Sequence, residues 1–475
     1  MQSTHLLAAS LCVLAGACAT QPDTAAQSAA ARAGEPEFRA LYKELLEINT
    51  TLSVGSCTRA AEAMKAHLVT AGYPQSDLHI IADPKRPQDG NLVAVLPGTD
   101  ASLKPIMLLA HIDVVEANRA DWVRDPFKLT EEGGYFYARG AADDKAMAAI
   151  FTDSMVRFKR DGYAPRRGLK LVLTCGEESP NTFNGVKYLI ANHRELIDAA
   201  FALNEGGGGR LDGKTGKYLF NGIQAGEKLY QDFTLEITNP GGHSSRPAPD
   251  NAIYRLSAAL EKVSKMDFPI EFNDATRGYF AAMGAITGGA EGADMKAAPE
   301  GDPAVIARLR QNPGNNSILH TTCVATQLSG GHAPNALPQR AAANVNCRIF
   351  PGHAPEEIRK QIETAIGDPG VKVSFQAEPE NPGPPPKLTP DIMKPIEQLT
   401  ESMFPGVPVV PAMAAGGTDG RFLTPAGIPT YGVSGIFTDG ETTFAHGLNE
   451  RLPIKGLMEG REFLHRLTQA YAGGK

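Results

Sequence analysis

The chain has 475 residues and six cysteines, none of them in a CxxC pair, which argues against a zinc site built from thiolates. No GxxxxGK[ST] stretch is present either. GGGGR at 206–210 is rich in glycine but lacks the lysine and the hydroxyl residue of a phosphate-cradling loop. GVSG at 432–435 falls short of GxSxG and lacks the strand-to-helix setting of a nucleophile elbow. No basic stripe offsets the net charge of −7, so nucleic acid is excluded as a partner. Cys175 precedes a glycine and two glutamates with no histidine base in view, which argues against a cysteine nucleophile. The single tryptophan, Trp122 in DWVRDPF, reads as a packing residue, and no internal repeat is evident.

Long apolar runs are also scarce. Leu6 to Ala17 is apolar, too short to span a bilayer, and ends in LAGAC at Cys18. That is the form of an export signal over 1–18, with Cys18 placed as a bacterial lipoprotein cysteine. No Lys or Arg precedes the run and Ala15 stands where leucine is commoner, so an ordinary secretory signal is the competing reading. Residues 19–35, rich in Ala, Gln, Thr and Pro, read as a tether. The expectation is an exported protein, periplasmic or anchored through Cys18. Cys323 and Cys347 fall in two strand-like runs that can pair, so a disulfide between them is open in an oxidising compartment.

What is present points to a folded α/β enzyme of more than one domain. Hydrophobic residues make up 42% and charged residues 21%, as in a globular protein, and the length exceeds one ordinary core. From 36 to 225, helical patterns alternate with short apolar runs. Ala60 to Leu68 and the series Met147, Ile150, Phe151, Met155, Phe158 have helical spacing. Leu92 to Leu96, Ile106 to Ala110, Leu169 to Thr174 and Ala199 to Leu203 read as strands. This alternation predicts a parallel or mixed sheet covered by helices, with its site beyond the carboxyl ends of the strands. Residues 226–380 differ. Phe233, Leu235 and Ile237 alternate with polar residues, and a helix follows with Ile253, Leu256, Leu260 and Val263 on one side. After a Gly-, Ala- and Pro-rich stretch at 282–316 come strand-like runs at 321–329 and 341–350. A helix carrying Ile358, Ile362 and Ile366 and a strand from Val371 to Phe375 complete a β-α-β-β-α-β order, as in a ferredoxin-like sandwich. NPGPPP at 381–386 reads as a hinge back to the first domain, which 381–475 completes.

The chemistry sits at the ends of these runs. His111 and Asp113 follow the Met107–Ala110 run, and 32 residues later a glycine turn presents Asp143 and Asp144 at the start of a helix. CGEES places Glu177 and Glu178 after the next strand, and NEGG places Glu205 after another. AHGLNERLPI supplies His446 and Glu450. Taken singly, each of these residues has a bland explanation, as a structural histidine or a solvated acid. Imidazoles and carboxylates recurring in that order at strand ends are the ingredients of a metal site.

The series His111, Asp143, Glu177–Glu178, Glu205 and His446 resembles the two-zinc amidohydrolases that include carboxypeptidase S, glutamate carboxypeptidase, aminoacylases, carnosinase-type dipeptidases and succinyl-diaminopimelate desuccinylases. The resemblance covers nearly all of 38–470. It implies a mixed-sheet zinc-peptidase catalytic domain with an inserted α+β ferredoxin-like lid or dimerisation domain. It also implies two divalent ions, zinc first and cobalt or manganese as alternatives. Asp143 would bridge them, His111 and Glu205 would complete one set of ligands, and Glu178 and His446 the other. Asp113 would hydrogen-bond His111, and the Asp143–Asp144 peptide would be cis. Glu177, not needed as a ligand, would act as general base and acid. His243 in GGHSSRP would stabilise the oxyanion, often across a dimer. Asn335 in NALP and Arg348 in NCRIFPG would grip the substrate carboxylate. The loop GGTDGR, with Gly416 and Gly417, would close on the substrate. The stretch HTTCVATQLSGG followed by NALP is similar to the carboxypeptidase S branch. The implied substrates are small peptides or N-acyl amino acids with a free carboxylate. A dipeptidase or aminoacylase is the alternative within the family, and a metal-binding lipoprotein without turnover is the alternative outside it.

Overall fold

Two apolar hexapeptides set the centre of the molecule. All six residues of Ile106–His111 and all six of Leu169–Thr174 are buried, as strands covered on both faces require. In the computed structural model these strands run parallel, His111 opposite Thr174, with Phe201–Asn204 parallel on the other side of Ile106–His111. Residues 34–179, 182–380, 383–440 and 443–474 are described. The export signal expected over 1–18, with Cys18, and most of the stretch expected to be a tether lie outside them.

The main sheet has ten strands and is mixed, as the sequence pattern predicts. Leu78–Ile81 and Asn91–Leu96 join the parallel centre antiparallel at one side. Thr430–Gly432, Tyr218–Glu227, Gly208–Leu211 and Phe437–Thr438 extend it on the other, with Val409–Ala414 alongside Tyr218–Glu227. Helices Cys57–Thr70 and Lys145–Arg160 cover the sheet. The first is capped by Ser56, whose hydroxyl accepts from Arg59 N at 3.2 Å. The second is buried along most of its length between the central strands and the helix Ile454–Ala472.

At that helix pair His465 stacks on Phe158 with ring centroids 4.5 Å apart. It is 4% exposed, and its Nδ1 has no hydrogen-bond partner. Burial, then the positive charges of Arg157 and Arg461, push its pKa down to about 3. The folded state therefore refuses a proton that the unfolded chain accepts near pH 6.5. The stability this preserves is whole above pH 6.5 and is lost as pH falls from there toward 3, by about 4–5 kcal/mol at most. We predict that His465→Leu flattens the acid side of the stability curve. Urea unfolding at pH 7, 5.5 and 4.5, with chelator present throughout, measures this. Parallel curves for parent and variant would refute the assignment.

The inserted unit has its own sheet, in the order Thr322–Gly330, Arg340–Ile349, Leu229–Thr238, Lys372–Phe375, all antiparallel. With helices Ala252–Ser264 and Pro355–Ile366, this is the β-α-β-β-α-β arrangement read from the sequence. Its core is separate, built from residues such as Phe233, Leu256, Val345 and Ile362. Two details depart from expectation. Ile253 is 39% exposed, because the inward face of its helix is Ala252, Leu256, Ala259 and Val263. The Gly-, Ala- and Pro-rich stretch is helical: Asp274–Thr287, Gly289–Ala297, Pro303–Leu309 and Pro313–Leu319. These helices place Phe280, Met295, Leu309 and Leu319 in the larger core, not in that of the inserted unit. Glycine makes their packing possible, since a Cβ on Gly284 would stand 2.6 Å from the carbonyl oxygen of Gly292.

Tyr218–Glu227 of the main sheet leads through Lys228 directly into Leu229–Thr238 of the inserted sheet. Lys228 is 1% exposed, and its ammonium donates to the carbonyls of Ser317 and His320 at 2.8 Å each and to Thr322 Oγ1 at 3.0 Å. Two disulfides are formed among the described residues. Cys323–Cys347, the pairing left open by the sequence, links directly opposed residues of adjacent strands. Cys57–Cys175 joins residues 118 apart and was not anticipated.

Candidate metal centre

Three parallel strands deliver the site residues to one end of the sheet. His111 closes the first, Glu177 and Glu178 follow the second after a two-residue turn, and Glu205 directly follows the third. Asp143 and Asp144 enter helix Lys145–Arg160 through a cis peptide. His446 arrives on a loop near the C-terminus with φ +62°, and Phe444 and Asn449 beside it also have positive φ.

Asp143 stands at the centre. Its Oδ1 is 3.0 Å from His111 Nε2 and its Oδ2 is 3.2 Å from His446 Nε2. His446 Nε2 also lies 2.8 Å from Glu178 Oε1, and His111 Nε2 lies 3.7 Å from Glu205 Oε2. One carboxylate thus faces two imidazoles, each with a further acid beside it. Potential ligand atoms of His111, Glu177 and Glu205 lie within 4.8 Å of one another, as do those of His111, Asp143 and Glu178. Glu177 belongs to the first group by proximity, whereas Glu178 makes the contact with His446.

The role expected of Asp113 is altered in one respect. His111 Nδ1 donates to the backbone carbonyl of Asp113 at 3.1 Å, while the carboxylate lies farther off at 3.7 Å. That carboxylate instead accepts from Glu177 N at 3.3 Å and Glu178 N at 3.0 Å. Asp113 therefore holds the acid loop as well as the imidazole, because the two amides outcompete the ring for its oxygens.

Electrostatics test whether cations fit. Burial and then Glu205 push Glu177 up to about 9, and burial pushes Asp113 up to about 6. Glu205 and Asp144 are also raised, by burial first. Hydrogen bonds from both imidazoles overcome burial to hold Asp143 low. His446 is pushed up to about 10 by its hydrogen bonds to Asp143 and Glu178. So many acids in one enclosure resist ionising together. Divalent cations resolve that conflict, and imidazole with carboxylate is a donor set that zinc, cobalt or manganese accepts.

Supporting residues to which the sequence reading gave no role in the site complete the centre. The carboxylate of Glu450, fully buried, accepts from Gly140 N at 3.0 Å, Ala142 N at 2.8 Å and Asp143 N at 3.1 Å. Arg139 donates to Glu450 Oε2 at 2.7 Å and to the carbonyls of His446 and Gly447 at 3.3 and 3.0 Å. This pair ties the Asp143 turn to the His446 loop. Trp122, 4% exposed, packs under the Arg139 guanidinium at 5.0 Å. Asp419, within GGTDGR, accepts from Thr174 Oγ1 at 2.8 Å and Asn184 Nδ2 at 2.7 Å, bracing the strand that carries the acid pair.

From the acids a cleft of about 480 Å³ runs to Arg348, Arg421, Gly416 and Gly417. Its lining carries both signs, with Arg348 and Arg421 beside Asp232, Glu378 and Glu380 as well as the site acids. The Arg348 guanidinium lies over the Tyr230 ring at 4.7 Å and donates to the carbonyl of Ala415 at 3.3 Å. Arg421, which the sequence reading passed over, lies 3.8 Å from Glu380. His243 and Asn335 are not brought to this cleft. Both are exposed on a separate ladder formed by Gly242–His243 and Ala336–Leu337, where Ser244 N donates to the Asn335 carbonyl at 3.1 Å. Pairing of those two short strands holds them apart from the cleft within one chain.

The family described as Peptidase family M20/M25/M40 matches residues 107–470. The N-fatty-acyl-amino acid synthase/hydrolase PM20D1.1 of Danio rerio is 29% identical over 380 residues, covering 78% of this chain and 73% of that protein. Probable carboxypeptidase S-like 2 of Dictyostelium discoideum is 28% identical over 388 residues, covering 80% and 74%. Among solved structures, an M20 family metallo-carboxypeptidase from Sulfolobus solfataricus superposes with a TM-score of 0.70 at 18% identity, covering 92% of this chain and 99% of that one.

Proposed function

The chain belongs to peptidase family M20/M25/M40, and from that premise we propose that it is a two-metal hydrolase of amide bonds in small peptides or N-acyl amino acids that carry a free carboxylate. The observation that carries this reading is the position of Asp143, with one oxygen on His111 and the other on His446. His111 and Glu205 would hold one ion and Glu178 and His446 the other, with Asp143 shared. Zinc is the expected metal. When bound, such ions supply Lewis acidity, acidifying water and polarising a carbonyl.

The chain's own residues do the rest. Glu177 takes a proton from water and returns it to the departing amine. Arg348, with a planar fork of donors, grips the substrate carboxylate at the far end of the cleft, and Gly416 and Gly417 border that grip without side chains. The scissile amide then lies between the acids and the guanidinium. The names of the two relatives support acyl-amino acids and peptides as substrates. On this reading the inserted unit is a lid or dimerisation domain. His243 and Asn335 would then serve the cleft of a second copy. Residues 1–18 would direct export, with Cys18 the anchor.

The test is metal dependence. Chelation should remove activity toward a dipeptide, an N-blocked dipeptide and an N-acyl amino acid, and zinc, cobalt or manganese should restore it. The substrate best used identifies the branch. Activity that survives complete chelation, or a metal-loaded protein inert toward all of these amides, would sink the proposal.

A further inference from the structure

The two disulfides occupy unlike positions. Cys323–Cys347 joins strands already paired by backbone hydrogen bonds, 24 residues apart. Cys57–Cys175 joins the first residue of a helix to the residue that follows a central strand, and Glu177 and Glu178 come just after. We propose that Cys57–Cys175 is a positioning element of the hydrolytic site, fixing the path of the Gly176–Glu178 loop so that both acids face the cleft. This inference rests on the hydrolase reading given above.

The loop leaves little room for adjustment. Gly176 has φ +92°, and a Cβ there would stand 2.1 Å from the Phe183 carbonyl oxygen, so only glycine fits. Asn91 Oδ1 accepts from Cys175 N at 3.0 Å, and the Cys175 carbonyl accepts from Gly185 N at 2.7 Å. Beyond Gly176 the backbone is held at Asp113, through Glu177 N and Glu178 N. The disulfide is the covalent hold on this segment. Cys57 is 2% and Cys175 5% exposed, so the anchor is packed on both sides. Glu178 touches His446 at 2.8 Å while its neighbour faces His111 and Glu205. A small rotation of the loop would displace a ligand and the base together.

The test uses the full chain saturated with zinc. Cys57→Ser/Cys175→Ser is compared with the parent and with Cys323→Ser/Cys347→Ser, on the best-hydrolysed substrate. Misplacement of reacting groups by an ångström costs one to two orders of magnitude, so kcat should fall about tenfold or more. KM should stay within about twofold, and the control pair should match the parent. A kcat within twofold of the parent, a loss carried mainly by KM, or an equal loss in the control overturns the inference. A parent inert toward every amide instead overturns the functional reading, and the inference with it. Should the double variant not fold, the folded parent is reduced with a water-soluble phosphine. Each S–S bond opens to two thiols as the phosphine takes up the oxygen of a water molecule. Alkylation locates the thiols, and the same kcat loss must accompany opening of Cys57–Cys175 and not of Cys323–Cys347.

Discussion

Glu177→Gln should abolish most turnover and leave the bound metal untouched. Loss of a positioned general base and acid lowers kcat by about 10²–10⁴-fold. Glutamine keeps the shape of the side chain, and the backbone N–H of residue 177 still donates to Asp113. The contact to His446 comes from Glu178, so the ligand set survives. Asp143→Asn is the contrasting variant. It changes the carboxylate shared by both imidazoles and should lose metal and activity together. Elemental analysis beside kcat separates the two. If Glu177→Gln sheds metal, or keeps kcat within threefold, Glu177 is a ligand or a bystander.

Glu450→Ala should be the most destabilising single change near the site. It removes the partner of a buried guanidinium and strands three N–H groups that the carboxylate satisfied. Breaking a buried pair in this way costs about 3–5 kcal/mol, a large share of the 5–15 kcal/mol that holds a typical fold. One of those N–H groups belongs to Asp143, and Arg139 also grips the carbonyls of the His446 loop. Zinc affinity should therefore fall with stability. Urea unfolding in chelator, followed by zinc titration of the folded fraction, checks both. A loss under 1 kcal/mol with parental zinc affinity would show that the two segments hold themselves.

The central strands were readable because burial on both faces leaves unbroken apolar runs, and the ligating types follow such runs directly. His111, Glu177, Glu178 and Glu205 were found that way. Asp143 was legible as an acid on a glycine turn before a helix and His446 only as a histidine near the C-terminus; their ligand roles needed the resemblance, since neither follows a strand of the main sheet. Glu450 was quoted without a role, for its partner Arg139 is 311 residues distant and no local pattern links them. The Cys57–Cys175 pairing was hidden for the same reason. The 274–319 helices were missed because alanine and glycine blur helical periodicity, and the packing that settles their conformation is tertiary. His243 and Asn335 are a different case. Their motifs are local and visible, but one chain does not carry them into the cleft.

Lys228 has a mechanical meaning. The extended segment from Tyr218 to Thr238 passes through both sheets, so the buried lysine sits at the junction as an axle between two plates. Immediately before it, Glu227 accepts from Thr418 N at 2.7 Å, and Lys228 N donates to the Ala414 carbonyl at 2.9 Å. Tyr230, two residues beyond the axle, lies under Arg348. One continuous segment thus serves as the mount for both Arg348 and the 414–421 loop.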